Sequence, residues 1–135
     1  KIPDHKQALV SRGAARLNDG RHGGAIEDFN RAIELDASYA RAFHLRGLAY
    51  EKAGDHQAAV DDFNRSLEID PDYGAAYYSR ASLFTKICRE EDAAADMQMV
   101  AQLTRRNVTA FASDNNLIHS EHLRLEDALE TELNR

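Results

Sequence analysis

Three arginines, Arg12, Arg46 and Arg80, recur at intervals of 34 residues, and each is followed 16 residues later by an aspartate: Asp28, Asp62 and Asp96. A guanidinium and a carboxylate held at a fixed separation form a bidentate pair, which is chemistry of architecture rather than of turnover. If each pair bridges two helices, it adds only about 0 to 1 kcal/mol when exposed, but is costly to break when partly buried, because a charge is stranded. Other candidates are few. His119 and His122 stand three apart with Glu126 one turn further on, a spacing able to ligate a metal. Structural zinc takes four ligands and catalytic zinc normally three, so a solvated helix face is the simpler reading and no metal or cofactor is assigned. Cys88 falls beside Arg89 near an expected helix start, where a thiol pKa is lowered; a free structural thiol is the simpler reading here too. Asn107-Val108-Thr109 matches an N-glycosylation acceptor, which we read as accidental without a secretion signal. There is no glycine-rich phosphate loop, paired-cysteine motif or Gly-x-Ser-x-Gly turn, so the chain reads as a non-enzyme.

The arginines and aspartates recur because the chain does. Residues 40–73 align without a gap on residues 6–39, with Arg12-Gly13, Gly20, Ala25, Asp28-Phe29-Asn30-Arg31 and Tyr39 all repeated. Residues 74–107 are a more decayed copy that keeps Arg80, Ala93 and Asp96. A fixed period of this length identifies a repeat array. Within residues 40–73, Phe43, Gly47, Tyr50 and Ala53 recur at helical spacing, and after Gly54-Asp55 a second set runs Ala59, Val60, Phe63, Leu67 and Ile69. Gly54 suits the left-handed residue after a helix, Asp55 suits an N-cap, and Pro71 cannot continue a helix. Each repeat is therefore expected to be a helix, a tight turn and a helix, with Gly47 and Ala59 allowing close approach and Phe63 filling the space beside them.

These residues resemble the tetratricopeptide repeat family, whose helix pair places an aromatic, a small residue, a Tyr, then Ala, an aromatic, Ala and Pro at set offsets. Here those positions are Phe43, Gly47, Tyr50, Ala59, Phe63, Ser66 and Pro71. The outer copies depart from the pattern: Leu9 and Tyr77 replace the first aromatic, Arg16 and Phe84 the Tyr, Met97 the second aromatic, and Ala37 and Arg105 the Pro. The Arg-Gly and Asp-Phe pairs of the two leading copies are similar to bacterial members of the family. The resemblance implies an all-α, right-handed solenoid of three helix-turn-helix hairpins, and a protein-protein interaction scaffold whose first helices line a concave groove for a peptide or helix. Carried over residue by residue, that peptide-binding groove is Gln7, Val10, Ala14 and Asn18, then Arg41, His44, Leu48 and Lys52, then Ala75, Tyr78, Ser82 and Lys86. Two readings of its Arg41, Lys52 and Lys86, with His44 when protonated, stay open: a cationic cleft that favours acidic ligands, or ordinary solvated helix residues. Relatives that clamp the C-terminal tail of a heat-shock chaperone use Lys, Asn and Arg where this chain has Val10, Ala14, Leu45, Ala75 and Ser79. Such a tail is therefore not the expected partner, and the groove suits an apolar or aromatic anchor against Val10, Leu48 and Tyr78 with acidic flanks.

Expected boundaries are 1–5 (linker or the tail of a preceding repeat, since Pro3 stands two periods before Pro71), then repeats at 6–39, 40–73 and 74–107. Residues 108–135 then divide into a connector, 108–113, and a C-terminal capping helix. That helix carries Ile118, His122, Leu125, Leu129 and Leu133 on one face, as the polar-backed cap of a stacked array, a dimerisation face or a segment folded into the groove. Self-assembly, as a dimer or a stacked array acting through this helix, is the alternative function. Asp4 and Gln7 form a capping-box pattern ahead of the first helix. A net charge of −6 disfavours nucleic acid as a partner, and no basic amphipathic helix or spanning apolar run points to a membrane. One cysteine rules out an internal disulfide and fits a reducing compartment such as the cytoplasm.

Overall fold

The computed structural model describes residues 5–114. Every regular element among them is helical: α1 (His5–Asn18), α2 (His22–Leu35), α3 (Ala40–Lys52), α4 (His56–Ile69), α5 (Gly74–Lys86) and α6 (Glu90–Asp114). The described chain is all-α, a solenoid of three helix-turn-helix hairpins, α1–α2, α3–α4 and α5–α6. It divides into two compact units, residues 1–100 and residues 101–135, of which the second is described only through its part of α6. No helix among the described residues is long and apolar enough to cross a membrane.

Each hairpin turns on one left-handed residue. Gly20 (φ +82°) and Gly54 (φ +89°) take that position after α1 and α3, and Cys88 (φ +63°) takes it after α5. The following amide closes the turn by donating five residues back, Arg21 to Arg16, Asp55 to Tyr50 and Arg89 to Phe84. A Cβ disfavours this conformation, so the third hairpin is bent by the same hydrogen bonds from a less suitable residue. Asp55 also caps α4 as expected, its carboxylate accepting from the Ala58 amide at 3.2 Å.

Close approach inside a hairpin depends on a missing side chain. A methyl group on Gly47 would lie 2.6 Å from the Phe63 ring, and one on Gly13 would lie 2.6 Å from the Phe29 ring. Both phenylalanines are fully buried, as are Ala25 and Ala59 beside them. Ser66, at a position the family keeps small, donates to the Ala40 carbonyl at 2.9 Å and ties α4 to the start of α3. The apolar core is continuous from hairpin to hairpin: Ala42 and Ala49 of α3 join Leu9, Val10, Leu17 and Phe29, while Ala81, Leu83 and Phe84 of α5 join Val60 and Phe63.

The third copy does not stop where the period ends. α6 continues to Asp114, so the expected connector at 108–113 is helix instead. The first two hairpins end on an aspartate that folds the chain locally: Asp36 accepts from the Ser38 amide at 3.0 Å and Asp70 from the Asp72 amide at 3.1 Å, with Pro71 reinforcing the second turn. The corresponding run is Thr104-Arg105-Arg106, which has neither the carboxylate nor the proline, and the helix runs on. The expected Asp4 cap and the capping helix at 116–134 lie outside the described residues, as do His119, His122 and Glu126.

Candidate peptide-binding surface

The first helices are held in place by a polar framework. Arg46 donates through Nε and Nη2 to both carboxylate oxygens of Asp62, at 2.8 and 2.7 Å, and Arg80 does the same to Asp96. Arg12 reaches Asp28 at 3.0 and 2.6 Å, with Arg16 adding a third donor at 3.0 Å. The carboxylates are buried, so each expected Arg–Asp pair does bridge its hairpin, and does so at the buried, bidentate end of the range. The Arg12 hydrogen bond holds the Asp28 carboxyl below the usual carboxylate range, although burial opposes it.

The Arg–Asp spacing alone leaves out half of this framework. Arg46 Nη1 donates at 2.9 Å to Asn30 of the preceding hairpin, and Arg80 Nη1 donates at 2.8 Å to Asn64. Asn, Arg and Asp thus form a ladder from one repeat into the next, each step 16 residues long. Arg46 also lies between the rings of Phe43 and Tyr50, and Arg80 between those of Tyr77 and Phe84, which gives the aromatic positions of the repeat a second task. The signal for the asparagines was the intact Asp-Phe-Asn-Arg run in both leading copies.

On this frame α1, α3 and α5 each present a row of side chains at helical spacing. Gln7 and Asn18 of α1, Arg41 and Lys52 of α3, and Ala75, Tyr78, Ser82 and Lys86 of α5 are exposed, and Ala14 and Leu48 are half-buried. Tyr78 is 59% exposed. A depression of about 370 Å³ opens beside it, lined by Ala81, Ser82, Thr85, Lys86 and Met97.

Two of the expected groove residues are not available to a ligand. Val10 is fully buried in the core between the first and second hairpins. His44 is 7% exposed, with Nδ1 hydrogen-bonded to the Tyr73 hydroxyl at 3.1 Å, Nε2 to the Ser79 hydroxyl at 2.8 Å, and its ring against Phe63 and edge-on to Tyr73. Both stand where the next first helix packs, so helical spacing alone placed them one step too far toward the ligand. Burial, with Arg41 nearby, pushes the His44 pKa down to about 4, so His44 adds no positive charge to the surface near neutral pH. A second expected cation is spent: Lys86 is ion-paired with Glu51 of α3 and ties the third hairpin to the second. Arg41 and Lys52 have no ion-pair partner among the described residues.

Two family models match, "Tetratricopeptide repeat" over residues 40–73 and "TPR repeat" over residues 13–54. A search of curated proteins gave no match. Among solved structures, the chain is similar to the second TPR of Spaghetti (RPAP3) bound to HSP90 peptide SRMEEVD, at 25% identity and a TM-score of 0.70 over 74% of this chain and 93% of that one. The first TPR of the same protein, also bound to that peptide, gives 20% identity and a TM-score of 0.72 over 93% and 96%. The Sgt2 TPR domain from Aspergillus fumigatus gives 19% and 0.72 over 76% and 68%. With the 34-residue register, the glycine–phenylalanine contacts and the hairpin stack already in view, these matches place the chain in the tetratricopeptide repeat family.

Proposed function

We propose that the chain is a protein-interaction module that takes an acidic peptide along the surface made by α1, α3 and α5. The observation that supports this most is the pair Arg41 and Lys52, exposed and without ion-pair partners on a protein of net charge −6, flanking half-buried Leu48. Eleven residues of helix separate them by about 16 Å, which an extended peptide covers in about five residues. The ligand that fits has two carboxylates at about that separation and an apolar or aromatic side chain between them. Leu48 receives the anchor, and Tyr78 with the depression beside it extends the apolar contact. We do not extend the HSP90 peptide to this chain. Val10 and Ala14 are apolar, Leu45 is half-buried, Ala75 carries no donor, and the Ser79 hydroxyl is engaged with His44. The other function expected of the sequence, self-assembly through the C-terminal helix, falls on residues outside those described.

The test is a fluorescence-polarisation titration with labelled eight-residue peptides that place Asp or Glu around a central Leu, Phe or Tyr. The Lys-flanked counterparts and SRMEEVD serve as comparators. Arg41→Glu with Lys52→Glu should abolish binding of the acidic set, and added salt should weaken the parent's binding as it does for exposed charges. Equal binding of the Lys-flanked set, or unchanged binding by the double variant with the parent's helical melt, would overturn the assignment.

A further inference from the structure

The ladder has an unfinished rung at each end of residues 5–100. In the second and third hairpins the arginine Nη1 takes an amide oxygen from the hairpin before it; Arg12 uses Nε and Nη2 in the same way, but its Nη1 has no partner among the described residues. Its side chain is 48% exposed, against 15% for Arg46 and 20% for Arg80. The residues around it are of the kind that line the internal joints. Ala8 and Ala15 are exposed, whereas the residues one and two periods on, Ala42 and Ala76, Ala49 and Leu83, are fully buried against the preceding hairpin. A depression of about 170 Å³ opens there, lined by His5, Ala8, Leu9 and Arg12. A face retired to solvent would carry polar side chains at these positions.

At the other end, Gln98 stands one period after Asn64 and is exposed, an amide one methylene longer at the register where Asn30 and Asn64 serve the next arginine. Met97, at the register of Phe63, and Tyr78, at the register of buried His44, are exposed beside it. One end therefore offers the donor and small side chains, and the other the acceptor and large ones. We propose that a second copy of this chain docks head to tail, its Gln98 face on the α1 face, with the Gln98 amide oxygen accepting from Arg12 Nη1 and Met97 covering Ala8 and Ala15. The joint continues the two hairpin–hairpin interfaces already present in the chain. It shares Tyr78 and Met97 with the edge of the peptide surface but not Arg41 and Lys52, so the Ala15 and Gln98 variants test it separately from that proposal. Because the two faces differ, the contact is heterologous and propagates.

Sedimentation velocity across about 5 to 500 µM, where weak interfaces of this kind become populated, tests it. The parent should show a mass rising with concentration beyond a dimer. Ala15→Glu places a charge in the head face, and Gln98→Arg places a guanidinium against Arg12. Both are exposed helical positions, and each variant alone should stay monomeric with an unchanged helical melt. An equimolar mixture of the two retains one open head and one open tail, so it should form a one-to-one dimer and nothing larger. A parent that is monomeric throughout, or a mixture that remains monomeric, overturns the proposal; so does a variant that still assembles as the parent does.

Discussion

The buried His44 predicts a specific acid sensitivity. Its imidazole is packed against Phe63 and Tyr73 and hydrogen-bonded to Tyr73 and Ser79, and its pKa is lowered from 6.5 to about 4, by burial first and by the Arg41 charge second. The unfolded chain therefore binds a proton near pH 6.5 that the folded chain refuses until about pH 4. Stability from this group is complete above pH 6.5 and is lost as pH falls through the window, at about 1.4 kcal/mol per pH unit and about 3 kcal/mol in all. The ion-paired carboxylates act elsewhere on the scale. Asp28, held low by Arg12, and Asp36, held low by Lys6, contribute above their ordinary pKa of 3.8 and lose that contribution only as pH falls below it. Urea unfolding followed by circular dichroism at pH 7, 6, 5 and 4.5 separates the two windows. His44→Gln keeps polar atoms in the junction but cannot take up the proton, so the variant should be flatter than the parent by about 1.4 kcal/mol per unit between pH 6 and 5. The remaining histidines are common to both proteins and cancel. Identical slopes for parent and variant, or a His44 ring resonance titrating near 6.5, would refute the argument.

Three further outcomes test the packing. Asp62→Ala leaves Arg46, only 15% exposed, without its carboxylate and should lower stability by about 3 kcal/mol in urea melts, whereas Asn30→Ala removes one hydrogen bond to the same guanidinium and should cost about 1.5 kcal/mol. Gly47→Ala drives a methyl group into the Phe63 ring and should destabilise by about 1 to 3 kcal/mol; Phe63→Leu in the same chain should make the glycine change milder, measured as a double-mutant cycle. Cys88→Gly relieves the one positive-φ side chain of the described residues and should raise the melting temperature, by an amount equivalent to about 0.5 to 1 kcal/mol.

Most of the architecture was readable because a repeat states each instruction several times. The 34-residue register located the hairpins, Gly54-Asp55 located a turn and its cap, and the Arg–Asp spacing located bridges that the structure makes with both carboxylate oxygens. What the sequence hid depends on neighbours. Val10 and His44 share a helix row with exposed residues, and only the packing of the following first helix buries them. Lys86 reads as a free cation until α3 brings Glu51 against it. The extension of α6 to Asp114 turns on a subtle difference: Thr104 stands where Asp36 and Asp70 fold the chain by accepting from an amide two residues on.

The Asn–Arg–Asp ladder has a consequence at the level of the gene. Arg46 and Arg80 each answer an asparagine 16 residues before and an aspartate 16 residues after, and nothing in the contact records which copy supplied either. Deleting residues 40–73 would bring Asn30 to Arg80, whose Asp96 is untouched, and the ladder would close with each of its charges still answered. Duplicating the same segment would extend it equally cleanly. An insertion or deletion of another length between an arginine and its aspartate would take a buried carboxylate out of register, so the ladder lets inheritance lengthen or shorten this protein in whole repeats and penalises fractions of one.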